Sequence, residues 1–156
     1  MKNNDQKYMR IALKQAMKAQ SFDEIPIGAV IVKDDKIISY GYNKRETLKN
    51  SLGHAEIMAI NKACKKLDNW RLNDCVLYVT LEPCIMCAGA IIQSRISKVV
   101  FGAFDSKGGA FGSSIDVRNA LNINHYVDVQ GGILEEECSE IIKKYFKEKR
   151  IQKKDK

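Results

Sequence analysis

The chain has 156 residues, 45% of them hydrophobic and 29% charged, which suits one globular domain, residues 1–156, with a core of its own. No apolar run approaches the roughly 18 residues of a membrane span, and the opening "MKNNDQKYMR" lacks a hydrophobic leader, so a cytoplasmic protein with no membrane partner is expected. The net charge is +7, and between Lys143 and Lys156 eight basic residues face two acids, Glu148 and Asp155. A nearly neutral body with one cationic end argues for a local polyanion contact, against the plainer reading of a solvated helix end.

In chain order, "YMRIALKQAMKAQ" places Met9, Ala12, Leu13, Ala16 and Met17 at helical spacing, which predicts an opening helix. "IPIGAVIVKDDKIISYGYN" reads as two strands joined at Asp34-Asp35, a hairpin. "KRETLKNSLG" is a polar connection. "HAEIMAINKACKKL" sets Ile57, Ile60, Ala63, Cys64 and Leu67 on one helical face, and "CVLYVTL" is a short apolar run that suits a central strand. "PCIMCAGAIIQS" is the next helix, with Pro83 in its first turn. "KVVFGAF" is a strand, and the Gly- and Ser-rich "DSKGGAFGSS" a loop. A short helix at "IDVRNAL" and a short strand at "YVDVQ" follow. "LEEECSEIIKKYFKEKR" is a closing helix, acidic first and basic last, as the helix dipole favours. Alternating helices and strands predict an α/β domain with helices covering the sheet; the strand order is not legible.

Five cysteines, an odd number, argue for reduced thiols over a disulfide framework. Cys64, Cys75 and Cys138 read as small buried apolar residues. Cys84 and Cys87 stand in metal-binding spacing, on one face if helical. Of the two histidines, His125 in "NINHYV" reads as a surface residue. His54, like the cysteine pair, lies at the start of a predicted helix. Two sulfurs and one nitrogen leave a fourth position for water, which is how catalytic zinc differs from structural zinc. Glu56, two residues past His54, is placed to take a proton from that water. Residues two apart do not share a helix face, so His54 must sit at the cap, approaching from the loop side.

His-x-Glu at one helix start and Pro-Cys-x-x-Cys at the next is the signature of the zinc deaminases. The chain resembles the bacterial tRNA-specific adenosine deaminases of the cytidine deaminase-like superfamily. The resemblance rests on "IPIGAVIV", "GYNKRE", "GHAE", "LYVTLEPCIMCAGAIIQSRISKVVFGAFDSKGGAFGS" and "YFKEKR", and so covers nearly the whole chain. It implies a three-layer α/β/α sandwich around a five-stranded mixed sheet, with a basic C-terminal helix and tail from about residue 134, and a homodimer. It implies a hydrolase of the C–N bond of an amidine, converting wobble adenosine to inosine in a tRNA anticodon stem-loop. It further implies one Zn2+ per subunit on His54, Cys84 and Cys87, with water or hydroxide as fourth ligand and Glu56 as catalytic residue. Asn43 and the backbone of Ala55 would contact the adenosine; Asp105, Lys107, Tyr145, Phe146 and Arg150 would grip the anticodon loop. Where the family has Pro-Thr-Ala before the His-Ala-Glu motif, this chain has Ser51-Leu52-Gly53, with Ser51 available as a helix cap.

Each of these residues has a plainer reading. Asn43 suits a turn after the second strand. One of Tyr145 and Phe146 would pack the last helix while the other stacks on a base, since neighbours point about 100° apart. The rival functions are a deaminase of free guanine or cytosine, which a cationic tail would not help, and a non-catalytic zinc-stabilised RNA-binding module, which would need a fourth protein ligand.

Overall fold

In the computed structural model, which describes residues 2–120 and 122–154, six helices and five strands follow in chain order. They are α1 (Lys2–Ser21), β1 (Gly28–Lys33), β2 (Lys36–Tyr42), α2 (Arg45–Leu48), α3 (Ala55–Leu67), β3 (Cys75–Leu81), α4 (Ile85–Gln93), β4 (Lys98–Ala103), α5 (Val117–Ala120), β5 (Asp128–Gln130) and α6 (Glu135–Lys154). Leu121 of the expected "IDVRNAL" helix, and Asp155 and Lys156 of the basic tail, lie outside the described residues.

The sheet order is β2-β1-β3-β4-β5. β1 is antiparallel to both its neighbours, while β3, β4 and β5 are parallel. The expected five-stranded mixed sheet is present, with "CVLYVTL" as its middle strand. One apolar cluster joins Ala59, Ala63, Ala88 and Ile91 of α3 and α4 to Ile31, Leu77 and Val99. The other joins Met9, Ala12 and Cys138 of α1 and α6 to Val30, Tyr78 and Val100. Helices therefore cover both faces, and the central strands are buried on both sides, which is why they read as continuous apolar runs. Asp34 and Asp35 both have positive φ, 52° and 59°, as a two-residue type I′ hairpin turn requires. No helix among the described residues is long and apolar enough to cross a membrane.

Four details differ from the sequence reading, the first being a single helical turn, α2, within the expected polar connection "KRETLKNSLG". The buried stripe of α1 runs through Tyr8, Met9, Ala12, Ala16 and Ala19, whereas Met17 is 58% exposed. The face of α3 on the sheet is Ala55, Ala59, Ile60 and Ala63, with Ile57 and Cys64 half-buried. Small residues win there because α3 lies hard against β2, where a Cβ on Gly41 would overlap the carbonyl oxygen of Ala55. Pro83 falls before the cap of α4, not in its first turn: Cys84 is the cap, and the Pro83 carbonyl accepts the Ala110 N–H at 2.9 Å.

Candidate metal centre and substrate pocket

With antiparallel β1 between them, β2 and β3 run the same way, and β4 runs parallel to β3. The segments leaving β2, β3 and β4 therefore open at one edge of the sheet, the carboxyl edge where α/β folds place ligands. They carry Asn43 to Glu56, Glu82 to Cys87, and Asp105 onward.

His54 caps α3 and Cys84 caps α4, both in extended conformation and neither making a side-chain capping bond. Ser51 is exposed and is not the cap, because a turn that bonds the His54 N–H to Leu52 O at 2.9 Å separates it from the helix. The His54 imidazole is thus free to point at α4. Its Nδ1 lies 3.6 Å from Cys84 Sγ and 3.5 Å from Cys87 Sγ. A tetrahedral zinc with its usual S and N bond lengths would set these atoms about 3.6 Å apart, so the donor set and its spacing fit that ion. Among the described residues no other His, Cys, Asp or Glu joins the cluster. The cysteines are also at the positive end of α4, which favours thiolates.

A hydrogen bond between the two thiols shifts Cys84 and Cys87 in opposite directions. The hydrogen bond with Cys87, helped by His54 and opposed by burial, brings the Cys84 thiol down to about 4. The same bond, with burial, pushes the Cys87 thiol far up. The His54 imidazole is raised, first by its bond to Cys84, with burial acting against it. Glu56, 4% exposed, is pushed up to about 7, mainly by burial and then by the nearby Cys84 charge. A dication beside it acts in the opposite sense.

The pocket above the triad has a volume of about 180 Å³. That is below the roughly 300–1,000 Å³ of drug-sized sites and suits one planar base. Ile25, Ile27 and Leu81 give apolar walls; Asn43, Arg45, Ala55, Glu56 and Asp105 also face it. Asn43 is 5% exposed. Its Oδ1 accepts the Arg45 N–H at 3.1 Å and its Nδ2 donates to Ile25 O at 3.3 Å, so the turn residue and the pocket residue are one and the same. Asp105 Oδ1 accepts the N–H groups of Lys107 and Gly108 at 3.2 and 3.1 Å. Lys107 and Phe146 line an adjoining groove that shares Ile25, Ile27, Leu81 and Asp105 with the pocket. Phe146 is 41% exposed and Tyr145 is 9% exposed. Tyr145 is the packing member of the pair, its hydroxyl donating to Asp23 O at 3.2 Å. Arg150 is exposed on α6, outside both cavities.

His125 is not a free surface residue: it is half-buried, and its Nε2 lies 2.7 Å from Ile96 O. Two buried carboxylates were not legible in the sequence. Glu82 accepts the N–H groups of Asp105, Phe111 and Ser113, each at 3.1 Å, and also the Ser113 hydroxyl. It ties the Gly-rich loop to the strand end that carries the cysteines. Glu24 accepts the Glu46 N–H at 3.0 Å, and the Thr47 N–H and hydroxyl at 2.6 Å each. Burial disfavours its charge, but these bonds and Arg45 outweigh that and hold its carboxyl below its ordinary value.

Fold and site together define a class, the metal-dependent deaminases of cytidine deaminase-like fold. Residues 3–150 match the model of the MafB19-like deaminases. The tRNA-specific adenosine deaminase of Bacillus subtilis strain 168 is 49% identical over 150 residues, covering 96% of this chain and 93% of that one. A structure solved in a study of A-to-I editing by tRNA:A34 deaminases at the wobble position superposes with a TM-score of 0.81 at 43% identity, over 86% of this chain and 97% of the other. Guanine deaminase from Bacillus subtilis superposes with a TM-score of 0.60 at 42% identity, over 63% of each chain. The chain belongs to the tRNA-specific adenosine deaminase family.

Proposed function

We propose that the protein hydrolyses the exocyclic amine of adenosine at the wobble position of a tRNA anticodon, leaving inosine and ammonia. The observation that carries this is a base-sized pocket lined by His54 and Cys84 of the three clustered metal-type donors and by buried Glu56, with Lys143 and Phe146 of the basic helix lining the adjoining groove. His54, Cys84 and Cys87 would hold one Zn2+ per chain. When bound, zinc supplies a Lewis acid that makes water in the fourth position easier to deprotonate.

Glu56 takes a proton from the attacking water, then delivers protons to the ring nitrogen and the leaving amine. Its burial keeps that carboxyl from exchanging freely with solvent. Asn43, fixed by its two bonds, presents a pre-set edge to the base, and the first amides of α3, beginning at Ala55, offer donors at a helix N-terminus. Asp105 and Lys107 position the flanking nucleotides, Phe146 offers a face for stacking, and Arg150 meets phosphate. Tyr145 acts by fixing α6 against Asp23. The reading includes a homodimer acting in the cytoplasm; exposed Ile85 and Leu52, beside the ligands Cys84 and His54, offer an apolar surface for a second copy.

Guanine deamination is the second reading, favoured by the 42% identity to a guanine deaminase. The test is to incubate zinc-loaded protein with an adenosine-bearing anticodon stem-loop, and separately with free guanine, cytosine, cytidine and adenosine, reading products by mass. Inosine in the stem-loop alone is expected. Turnover of free guanine alone would keep the chemistry and discard the tRNA assignment.

A further inference from the structure

Lys18, Lys44 and Lys62 come from three elements and gather at one edge of the sheet. Lys18 is in the last turn of α1, Lys44 follows β2, and Lys62 lies on α3. Lys18 Nζ stands 5.3 Å and Lys44 Nζ 4.7 Å from the centroid of the Tyr42 ring. Lys62 feels both of the others: its ammonium is made easier to deprotonate by burial first, then by the charges of Lys44 and Lys18. Among the described residues, none of the ion pairs includes these lysines. Glu46, the acid two residues past Lys44, lies against Arg45 instead. Tyr42 also stacks on Phe22 at 6.0 Å, and Phe22 is 55% exposed.

Three like charges held together without a counter-charge repel one another. Tyr42 offsets part of this for two of them through its ring face. An anion supplied from outside would relieve the rest. The cluster borders the pocket, since Lys44 follows Asn43 directly, and Phe22 shares a cleft with Asp23, Tyr145 and Lys149 of α6. That cleft also holds Glu46, and its Lys149 is paired with Asp23 at 2.6 Å, so the cluster at the β2 edge is a basic patch apart from that of α6.

We infer that Lys18, Lys44 and Lys62 bind backbone phosphate of the RNA substrate, as a contact separate from the α6 tail. The inference rests on the tRNA reading above. Lysines act here as point charges, so the contact adds affinity and orientation without reading sequence. Each phosphate neutralised steepens the salt dependence of binding by about 0.7 to 0.9 in log–log slope.

The test compares the zinc-loaded protein with its Lys18→Gln/Lys44→Gln/Lys62→Gln variant, measuring tRNA binding across a salt series and inosine formation on the same tRNA. The expected result is at least about tenfold weaker binding, a slope shallower by about 2 to 3, a raised KM and an unchanged kcat. The Lys→Arg triple variant should restore binding, because charge and not packing is at work. Equal affinity and slope in the Gln variant, or equal loss in the Arg variant, would overturn the inference. So would unchanged tRNA binding with lost affinity for inorganic phosphate, which would assign the cluster to a free anion. Absence of inosine from the unmodified protein would instead remove the tRNA reading itself.

Discussion

That His54, Cys84 and Cys87 could meet as a donor cluster was legible because few residue types hold a metal and their spacing is local to two helix starts. The place of Glu56 in the same pocket followed from its position two residues past His54. The side chains that hold the site in shape were not legible. Glu82 and Glu24 each lie at the border of an apolar run, and their bonding partners are 22 to 31 residues away in sequence; no local pattern marks such a carboxylate. Glu56→Gln should keep zinc and lose about 10²- to 10⁴-fold in single-turnover rate, because the amide cannot carry the proton; metal content and inosine formation measured together check this. Glu24 gives a prediction in pH. Its folded carboxyl is held below the ordinary 4.5, so its contribution is present above that value and is lost as pH falls through the folded value. Glu24→Gln should cost about 1–3 kcal/mol near neutral pH. Thermal scans of both proteins should show the gap closing as pH falls below 4.5.

Among the elements, the order of helices and strands follows from period and turn residues, down to the two-residue hairpin turn at Asp34-Asp35, except for α2, a single turn within the expected polar connection. Strand order did not, since no local signal says that β1 inserts between β2 and β3. The buried faces of α1 and α3 were also shifted from the expected ones. Helical spacing marks a stripe, but how near the sheet lies decides which residues line it, and against Gly41 only alanines fit. This makes Gly41 a support for the metal site, because the first turn of α3 that it seats follows His54 and carries Glu56. Gly41→Ala should destabilise the fold by about 1–3 kcal/mol through overpacking and weaken zinc retention. Denaturant midpoints with chelator competition would show both; a change in stability with zinc affinity intact would separate the packing from the site.

At the scale of the molecule, strand direction collects the chemistry. β2, β3 and β4 deliver the histidine, the cysteines and the Gly-rich loop to one edge, and the charge of α6 lies beside it. The sequence showed the charge and the donors but not that they meet, because that depends on the strand order. Removing the charge of the last helix, with Lys147, Lys149 and Arg150 changed to Gln, should raise KM for the stem-loop and flatten its salt dependence, leaving turnover at saturating substrate unchanged. A steady-state salt series checks this.

The proposed reaction needs three protein ligands to hold a zinc that does chemistry at an RNA adenosine. The most direct measurement is inosine formed on the anticodon stem-loop by chelated protein titrated with zinc, with bound metal counted at each step and the fold followed by circular dichroism. Expected are a folded chain without metal, no inosine at the start, and a linear rise that ends at one zinc per chain. Full turnover by metal-free protein, or a chain that folds only with zinc and makes no inosine when loaded, would contradict it.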